Sequence, residues 1–429
     1  MRPVSARRVT GFMLVALLVG ACGEPPPREQ GTPGWTSSTR TEPEVAEAQR
    51  YGGTIVVAGR GDPVSMNSLV STDFESEQHQ VHVLFVTLVS NDEDYQPQPY
   101  FARSCEFDSD TSEVVFHLRH DLQWHDGTPV TSRDVAFTFE RLKNPSVPFP
   151  NPSYFDYWDA AEVIDPVTIR FFLRPHANAL YGWTRTAIMP EHILGEVSPE
   201  DLESHPFGTL APVGNGPFRF VERVPGDRWV FEANPEFPED LGGRPYADRL
   251  VYRQIPDEFA LAAALQTGEV DLVIDASPSM LDQVGDDPEV VSVSYSAPEY
   301  AFIAWNSKRP KFADPKVRRA LTMAIDRETL VQAVLGGNGT VAPGPVGPWH
   351  WAYDSAWAPL PYSPDEAASL LDEAGWTDSD GDGARDRDGE PFSFELLATP
   401  RRDWGAIQTL VQASLGQIGV EVEPVVREQ

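Results

Sequence analysis

The segment Tyr300–Leu335 reads YAFIAWNSKRPKFADPKVRRALTMAIDRETLVQAVL and changes periodicity partway along. From Ala301 to Trp305 its apolar residues predict a strand. Asp314 then offers an N-cap oxygen, and Pro315 suits the first helical position. Val317, Ala320, Leu321, Ala324 and Ile325 recur at helical spacing as one apolar stripe. Asp326 recaps the chain before Leu330, Val331 and Val334, and Gly336-Gly337 stops the second helix. Arg318, Arg319, Asp326 and Arg327 read as structural ion-pairing residues.

A 429-residue chain exceeds one small core and predicts two or three domains. Apolar residues at 41% and charged residues at 23% make a soluble globular composition. A formal net charge of −32 argues against nucleic-acid binding, because phosphate would be repelled. The charge reads as solubility in an exposed setting.

Arg2, Arg7 and Arg8 precede the apolar run GFMLVALLVGA, which ends at Cys22. A basic region, a short apolar run and small residues before a cysteine make a secretory signal. Val19–Cys22, VGAC, resembles a lipobox, so residues 1–22 read as a lipoprotein signal peptide with Cys22 lipidated. The alternatives are an ordinary signal peptide or a single anchor, for which the run is short. Residues 23–50, rich in Pro, Glu, Thr, Ser and Gly, read as a flexible tether. The chain has two cysteines, so a lipidated Cys22 leaves Cys105 as a half-buried structural thiol.

The globular part begins with the strand GGTIVVAG near Gly52. Residues 114–142 read VVFHLRHDLQWHDGTPVTSRDVAFTFERL. Val114, Phe116 and Leu118 alternate with Val115, His117 and Arg119 as a half-buried strand, HDGTPV is turn chemistry, and Thr131 or Ser132 caps a helix. His117, His120 and His125 read as surface or turn residues, since His117 and His120 point to opposite strand faces. Residues 214–237, GNGPFRFVERVPGDRWVFEANPEF, predict a hairpin about Pro225-Gly226-Asp227. Residues 255–275, IPDEFALAAALQTGEVDLVID, predict a helix from Pro256, a Gly268 C-cap and a strand Val270–Ile274. Ser363-Pro364-Asp365-Glu366 reads as a capping box. A last helix, roughly Trp404–Ile418, leads through Gly419 into the strand VEVEPV.

These blocks resemble the bacterial family 5 solute-binding proteins, the peptide and nickel receptors of ABC importers. The resemblance lies in FHLRHDLQWHDGTPVTSRDV, with Ser132 for the usual alanine, and in GNGPF with Asn215 as a departure. It lies also in FADPKVRRALTMAIDRE and in the helix before Gly375-Trp376. It implies an α/β, two-lobed, periplasmic-binding-protein-like fold of the type II, large peptide-binding class, with a hinge and an interlobe cleft. The first lobe, with an inserted subdomain, is expected over 51–280 and the second over 281–429. The family's second lobe continues past the VEVEPV strand, so the second lobe is expected to be incomplete here, its last part missing.

The resemblance implies a lipid-anchored monomer outside the cytoplasm that binds a peptide or similar small solute for an ABC permease. The same scaffold would serve a nickel-chelate, opine or oligosaccharide receptor, or a signalling module. A secreted hydrolase would need a nucleophile–base pair, and no G-x-S-x-G, H-E-x-x-H, Walker loop or C-x-x-C occurs. By resemblance Tyr300, Trp305 and Asn306 are the expected ligand contacts, with Met66 and Asn67 beside Ser65, and Trp349 and Trp351 about His350, as further candidates. The acidic residue that meets a peptide amine in relatives falls past this chain's last strand.

One motif has metal spacing. In DSDGDGARDRDGE, residues 378–390, Asp378, Asp380, Asp382 and Asp386 take positions one, three, five and nine of an EF-hand-like loop. Position twelve is Gly389, and Glu390 comes one residue late. The loop is a candidate calcium site, with a polar hairpin as the alternative; no other cofactor is expected.

Overall fold

A computed structural model describes residues 50–92, 96–108, 112–174, 180–285, 287–293, 300–347, 353–399 and 404–427. They divide into two compact units. The first holds the described residues up to Ala276 with Gln283–Val293, and the second holds Ser277–Asp282 with the described residues after Val293.

The first unit contains a five-stranded sheet in the order Leu272–Val273, Thr54–Gly59, Arg249–Gln254, Arg228–Ala233, Phe218–Val224. Thr54–Gly59 pairs in parallel with both of its neighbours, and the remaining pairs are antiparallel. The last two strands are the expected hairpin, turning at Gly226 with φ +71°. A four-stranded antiparallel sheet runs Ala102–Asp108, Glu113–Leu118, Thr168–Leu173, Trp158–Asp165. Val114, Phe116 and Leu118 face the core as their alternation requires. The helix Ser132–Lys143 covers this sheet with Val135, Phe137 and Phe139 buried. Thr131 is its cap, in a reciprocal box with Asp134. One apolar core spans both sheets and includes Trp124, Trp158, Trp183 and Trp229. Arg119, 3% exposed, grips Asp121 and Asp240 through paired hydrogen bonds.

In the second unit the helices Pro315–Ala324 and Pro364–Glu373 pack together. The parallel strands Ser393–Ala398 and Glu421–Val426 are joined through the helix Trp404–Gly416. Val317, Ala320, Leu321, Ala324 and Ile325 are buried in its core with Trp376 and Phe392.

Several local expectations are corrected. The helix expected from Pro256 starts at Glu258, because Asp257 accepts the Ala260 N–H. Ser363 makes no side-chain cap; its N–H donates to Met323 O. The charged residues after Asp314 serve the backbone more than one another. Asp326 caps Thr329, Arg318 donates to the carbonyls of Phe312 and Ala313, and Arg327 donates to that of Leu360. Cys105 is half-buried on the strand Ala102–Asp108.

Candidate functional site

The three parallel strands of the first unit end at Gly59, Gln254 and Val273, and ligands in such sheets sit outside the carboxyl ends. The loop leaving Gly59 is pinned at once. Tyr252 Oη donates to Gly61 O at 2.8 Å, and a Cβ at Gly59 would lie 2.4 Å from Tyr252 Oη. Asp62 accepts from Trp229 Nε1 at 2.9 Å and Arg223 Nη2 at 3.0 Å, while the Arg223 guanidinium lies over the Trp229 ring. Met66 and Asn67 follow, and both are fully enclosed. The Met66 N–H donates to Gly208 O, and the Asn67 amide joins Leu69 N–H to Leu202 O. These two candidates hold the loop and present no surface to a solute in this conformation.

The site itself lies one turn further on. Asp73 caps the helix Phe74–His79 by accepting the Ser76 N–H at 2.9 Å. The helix then widens into a π-turn, Gln80–Leu84, closed by Phe85 N–H on Gln80 O at 3.0 Å. Such turns are uncommon and mark places where a side chain has been redirected. The GNGP segment holds this one. Asn215 and Gly216 both donate N–H to Leu84 O, and Asn215 Oδ1 accepts from Val86 N–H at 2.9 Å. A Cβ at Gly214 would fall 2.1 Å from Leu84 O, so the approach needs glycine. His125 of the WHDGTP block donates its N–H to Gly214 O and its Nε2 to Gly216 O. Two of the sequence blocks therefore interlock on a third segment that carried no sequence signal.

Gln80 opens the π-turn and is 2% exposed. Its Nε2 donates to Ser65 O at 2.8 Å and, more weakly, to Ser71 O at 3.4 Å. Two carbonyl acceptors on one atom fix the amide orientation. Gln80 lines a cavity of about 80 Å³ with Ser68, Ser71, Thr72, Glu77, Asn151, Gly182, Arg185 and Thr186, walled by Phe149, Tyr154 and Phe155. Arg185 Nη2 meets Glu77 Oε1 at 2.6 Å. Gly182 allows the helix Leu180–Arg185 to approach, since a Cβ there would lie 2.6 Å from Tyr157 Oη. Behind the turn, His79 packs edge-on to Tyr252 at 4.4 Å, and its Nδ1 donates to Glu75 O at 2.7 Å. Burial pushes the His79 imidazole down to about 4. His82 is lowered too, by burial and then by Arg185.

In the second unit Ala301–Trp305 has no ladder partner among the described residues, which corrects the expected strand. The alternation survives without hydrogen-bonded pairing. Ile303 and Trp305 turn toward the core, Trp305 against Phe312 and Phe394, while Phe302 is 67% exposed. Tyr300 is 42% exposed, its ring 5.5 Å from that of Phe302. Asn306 is a turn former whose Oδ1 accepts the Lys308 N–H at 3.1 Å. Trp349, His350 and Trp351 lie outside the described residues, as does Cys22.

Asp378, Asp380 and Asp382 bring carboxylate oxygens within 4.8 Å of one another, all exposed. Asp386 does not join them, which corrects the fourth ligand. Its Oδ2 accepts from Ser379 N–H and Oγ, bonds that hold the carboxyl below its usual range. Positions 386–391 form a hairpin turning at Asp388-Gly389, both at positive φ.

Gln80, Thr186 and the Glu77–Arg185 pair escaped sequence reading. FESEQHQVHVL looks like an ordinary helix, and nothing in its spacing sets Gln80 apart as a pocket residue.

The profile of the bacterial extracellular solute-binding proteins, family 5 (middle region), matches residues 96–429. The oligopeptide-binding protein AppA of Bacillus subtilis is 33% identical over 98% of this chain and 76% of its own length. Heme-binding protein A of Haemophilus influenzae is 29% identical over 83% of this chain and 66% of its own. The structure of AppA with a nonapeptide superposes at TM-score 0.77, covering 88% of this chain and 75% of that one. NikZ of Campylobacter jejuni with Ni(L-His), 26% identical, superposes at 0.75, covering 87% and 74%. The chain belongs to the bacterial extracellular solute-binding proteins, family 5.

Proposed function

We propose that this chain is the substrate-binding component of an ABC importer, capturing a peptide or similar small solute and presenting it to a permease. The observation that carries this is the cavity that holds Gln80, Thr186 and the Glu77–Arg185 pair against an aromatic wall, in a chain of this family. The 33% identity to a protein named for oligopeptide binding supports the peptide class. In the second unit the exposed Tyr300 ring is the proposed contact. The mechanism is selective stabilisation of one conformation by the solute, with no covalent step. We read the protein as a monomer.

NikZ, of similar fold, holds a nickel–histidine complex, so a chelate receptor is the second reading. Thermal unfolding of the purified chain with peptide pools, and separately with nickel–histidine, separates the two. A ligand at a hundred times its Kd stabilises by about 2.7 kcal/mol. Stabilisation by peptides is expected; a shift with the chelate alone would replace the first reading by the second.

The protein is proposed to work outside the cytoplasm, anchored through lipid on Cys22. Among the described residues no helix is long and apolar enough to cross a membrane. A thioether at Cys22 and a disulfide to Cys105 are exclusive uses of the chain's two cysteines. Peptide mass mapping reads which is made: a diacylglyceryl mass on the fragment beginning at Cys22 is expected, and its absence would remove the anchor. Calcium at Asp378, Asp380 and Asp382 is a further proposal, supported by their converging oxygens.

A further inference from the structure

The chain carries 65 acidic residues against 33 lysines and arginines, so an exposed cation ordinarily finds a carboxylate nearby. Arg60, Arg133, Arg170 and Arg228 do so, on Glu258, Glu191, Glu162 and Glu222. Residues 308–319, KRPKFADPKVRR, reverse the balance with six cations and one carboxylate. The carboxylates around them are already engaged. Asp314 accepts the Lys316 N–H, Glu373 takes Lys316 Nζ at 2.8 Å, and Asp372 takes Arg385. Lys311 and Arg318 donate to backbone carbonyls. Lys308, Arg309 and Arg319 remain. All three are exposed, and none of their side chains has a hydrogen bond or ion pair among the described residues. The three lie close together. Arg309 precedes the helix Pro310–Ala313, which is only about 6 Å long. Arg318, beside Arg319 near the start of Pro315–Ala324, bonds back to the last carbonyls of that short helix.

We propose that this patch docks on a membrane surface of anionic phospholipid headgroups and turns the second unit toward the bilayer. The proposal rests on the reading of a lipid-anchored protein. Residues 23–50, as a flexible tether, span about 30 Å, which brings the folded body within reach of that surface. The three cations stand on exposed turn and helix positions at the ends of long side chains, which suits a broad field of negative charge more than a shaped acidic partner. The net charge of −32 opposes the approach at about 0.01 M salt, where fields reach about 30 Å. At about 0.15 M salt the reach falls to about 8 Å, and the charges nearest the surface decide the outcome.

The test uses the full chain with Cys22→Ser, which carries no lipid, so its result is independent of the mass measurement that tests the anchor. Vesicles of phosphatidylcholine, with or without phosphatidylglycerol, are the probes. Co-sedimentation gives the ratio of the two affinities, in which apolar attachment through the N-terminal segment cancels. At about 0.1 M salt the anionic vesicles should bind about tenfold tighter, and the ratio should fall at both about 0.01 M and about 1 M. Each basic residue at such a surface is worth about fivefold, so Lys308→Glu/Arg309→Glu/Arg319→Glu should abolish the preference. Those side chains have no described bond to lose, so the variant's unfolding midpoint should hold. Arg249 is likewise exposed and without a side-chain partner among the described residues, but it lies on a strand of the first unit. Arg319→Glu should therefore weaken anionic binding several-fold, and Arg249→Glu, equal in charge change, should not. Equal binding to both vesicles, or equal effects of the two single variants, would overturn the docking and leave the solute-binding reading standing. Retention on polyglutamate that the triple variant loses, with no preference between vesicles, would overturn it in favour of an acidic protein partner.

Discussion

Acidification should destabilise the first unit through His79. The imidazole is buried against Tyr252 and Phe231, and burial lowers it from 6.5 to about 4. In the unfolded chain it titrates near its ordinary value, so below about pH 6.5 the unfolded state binds a proton that the folded state refuses. Its contribution is therefore intact above the unfolded value and is lost as pH falls from about 6.5 to about 4. At about pH 5 the shift corresponds to about 2 kcal/mol, and to about 3 kcal/mol once the folded form also titrates. His125 is displaced in the same direction, again by burial, and adds to the loss, though its side chain is less enclosed.

Urea unfolding at about pH 7.5 and about pH 5, followed by tryptophan fluorescence, measures the drop. Trp124, Trp158, Trp183 and Trp229 report on this core. Other groups contribute with either sign. Asp134, raised by burial, gains as pH falls, so the total drop is not diagnostic. The difference between the parent and His79→Phe is. The variant loses the bond to Glu75 O, about 1 kcal/mol at neutral pH, but should drop about 2 kcal/mol less on acidification. Equal drops in parent and variant would refute the assignment, as would a His79 imidazole titrating near 6.5 by NMR.

Two other outcomes follow from the geometry. Gly214→Ala places a methyl 2.1 Å from Leu84 O, so the π-turn must move, costing about 2–4 kcal/mol and appearing as a lowered unfolding midpoint. Calcium calorimetry on the chain should give a weak heat, Kd of order 10⁻⁴–10⁻³ M given three carboxylates and no bidentate twelfth ligand, and Asp380→Ala/Asp382→Ala should abolish it. Equal heats in both proteins would leave the loop as a polar turn.

The helices were legible because capping and periodicity are local. Asp314 with Pro315, Asp326 and Thr131 all start helices where their side chains reach the next free N–H. Gly336 ends one in the left-handed conformation. Hairpin chemistry at Gly226 was equally plain. Ladder pairing is not local, and Ala301–Trp305 kept the alternation of a strand without finding a neighbour. The site was the least legible part. Met66 and Asn67 are polar-flanked loop residues in sequence, yet tertiary contacts with Gly208 and Leu202 enclose them. Gln80 and Thr186 line one cavity from separate segments, one at the start of a π-turn and one just after a helix whose Gly182 permits close approach. Neither feature leaves a mark in the spacing of apolar residues.

Native mass spectrometry of the chain, purified without refolding, tests the solute-binding reading most directly. The account expects a population heavier than the bare polypeptide, whose added mass is released on denaturation and fragments as a peptide. A bare mass alone, unchanged after incubation with excess nonapeptide, would contradict it.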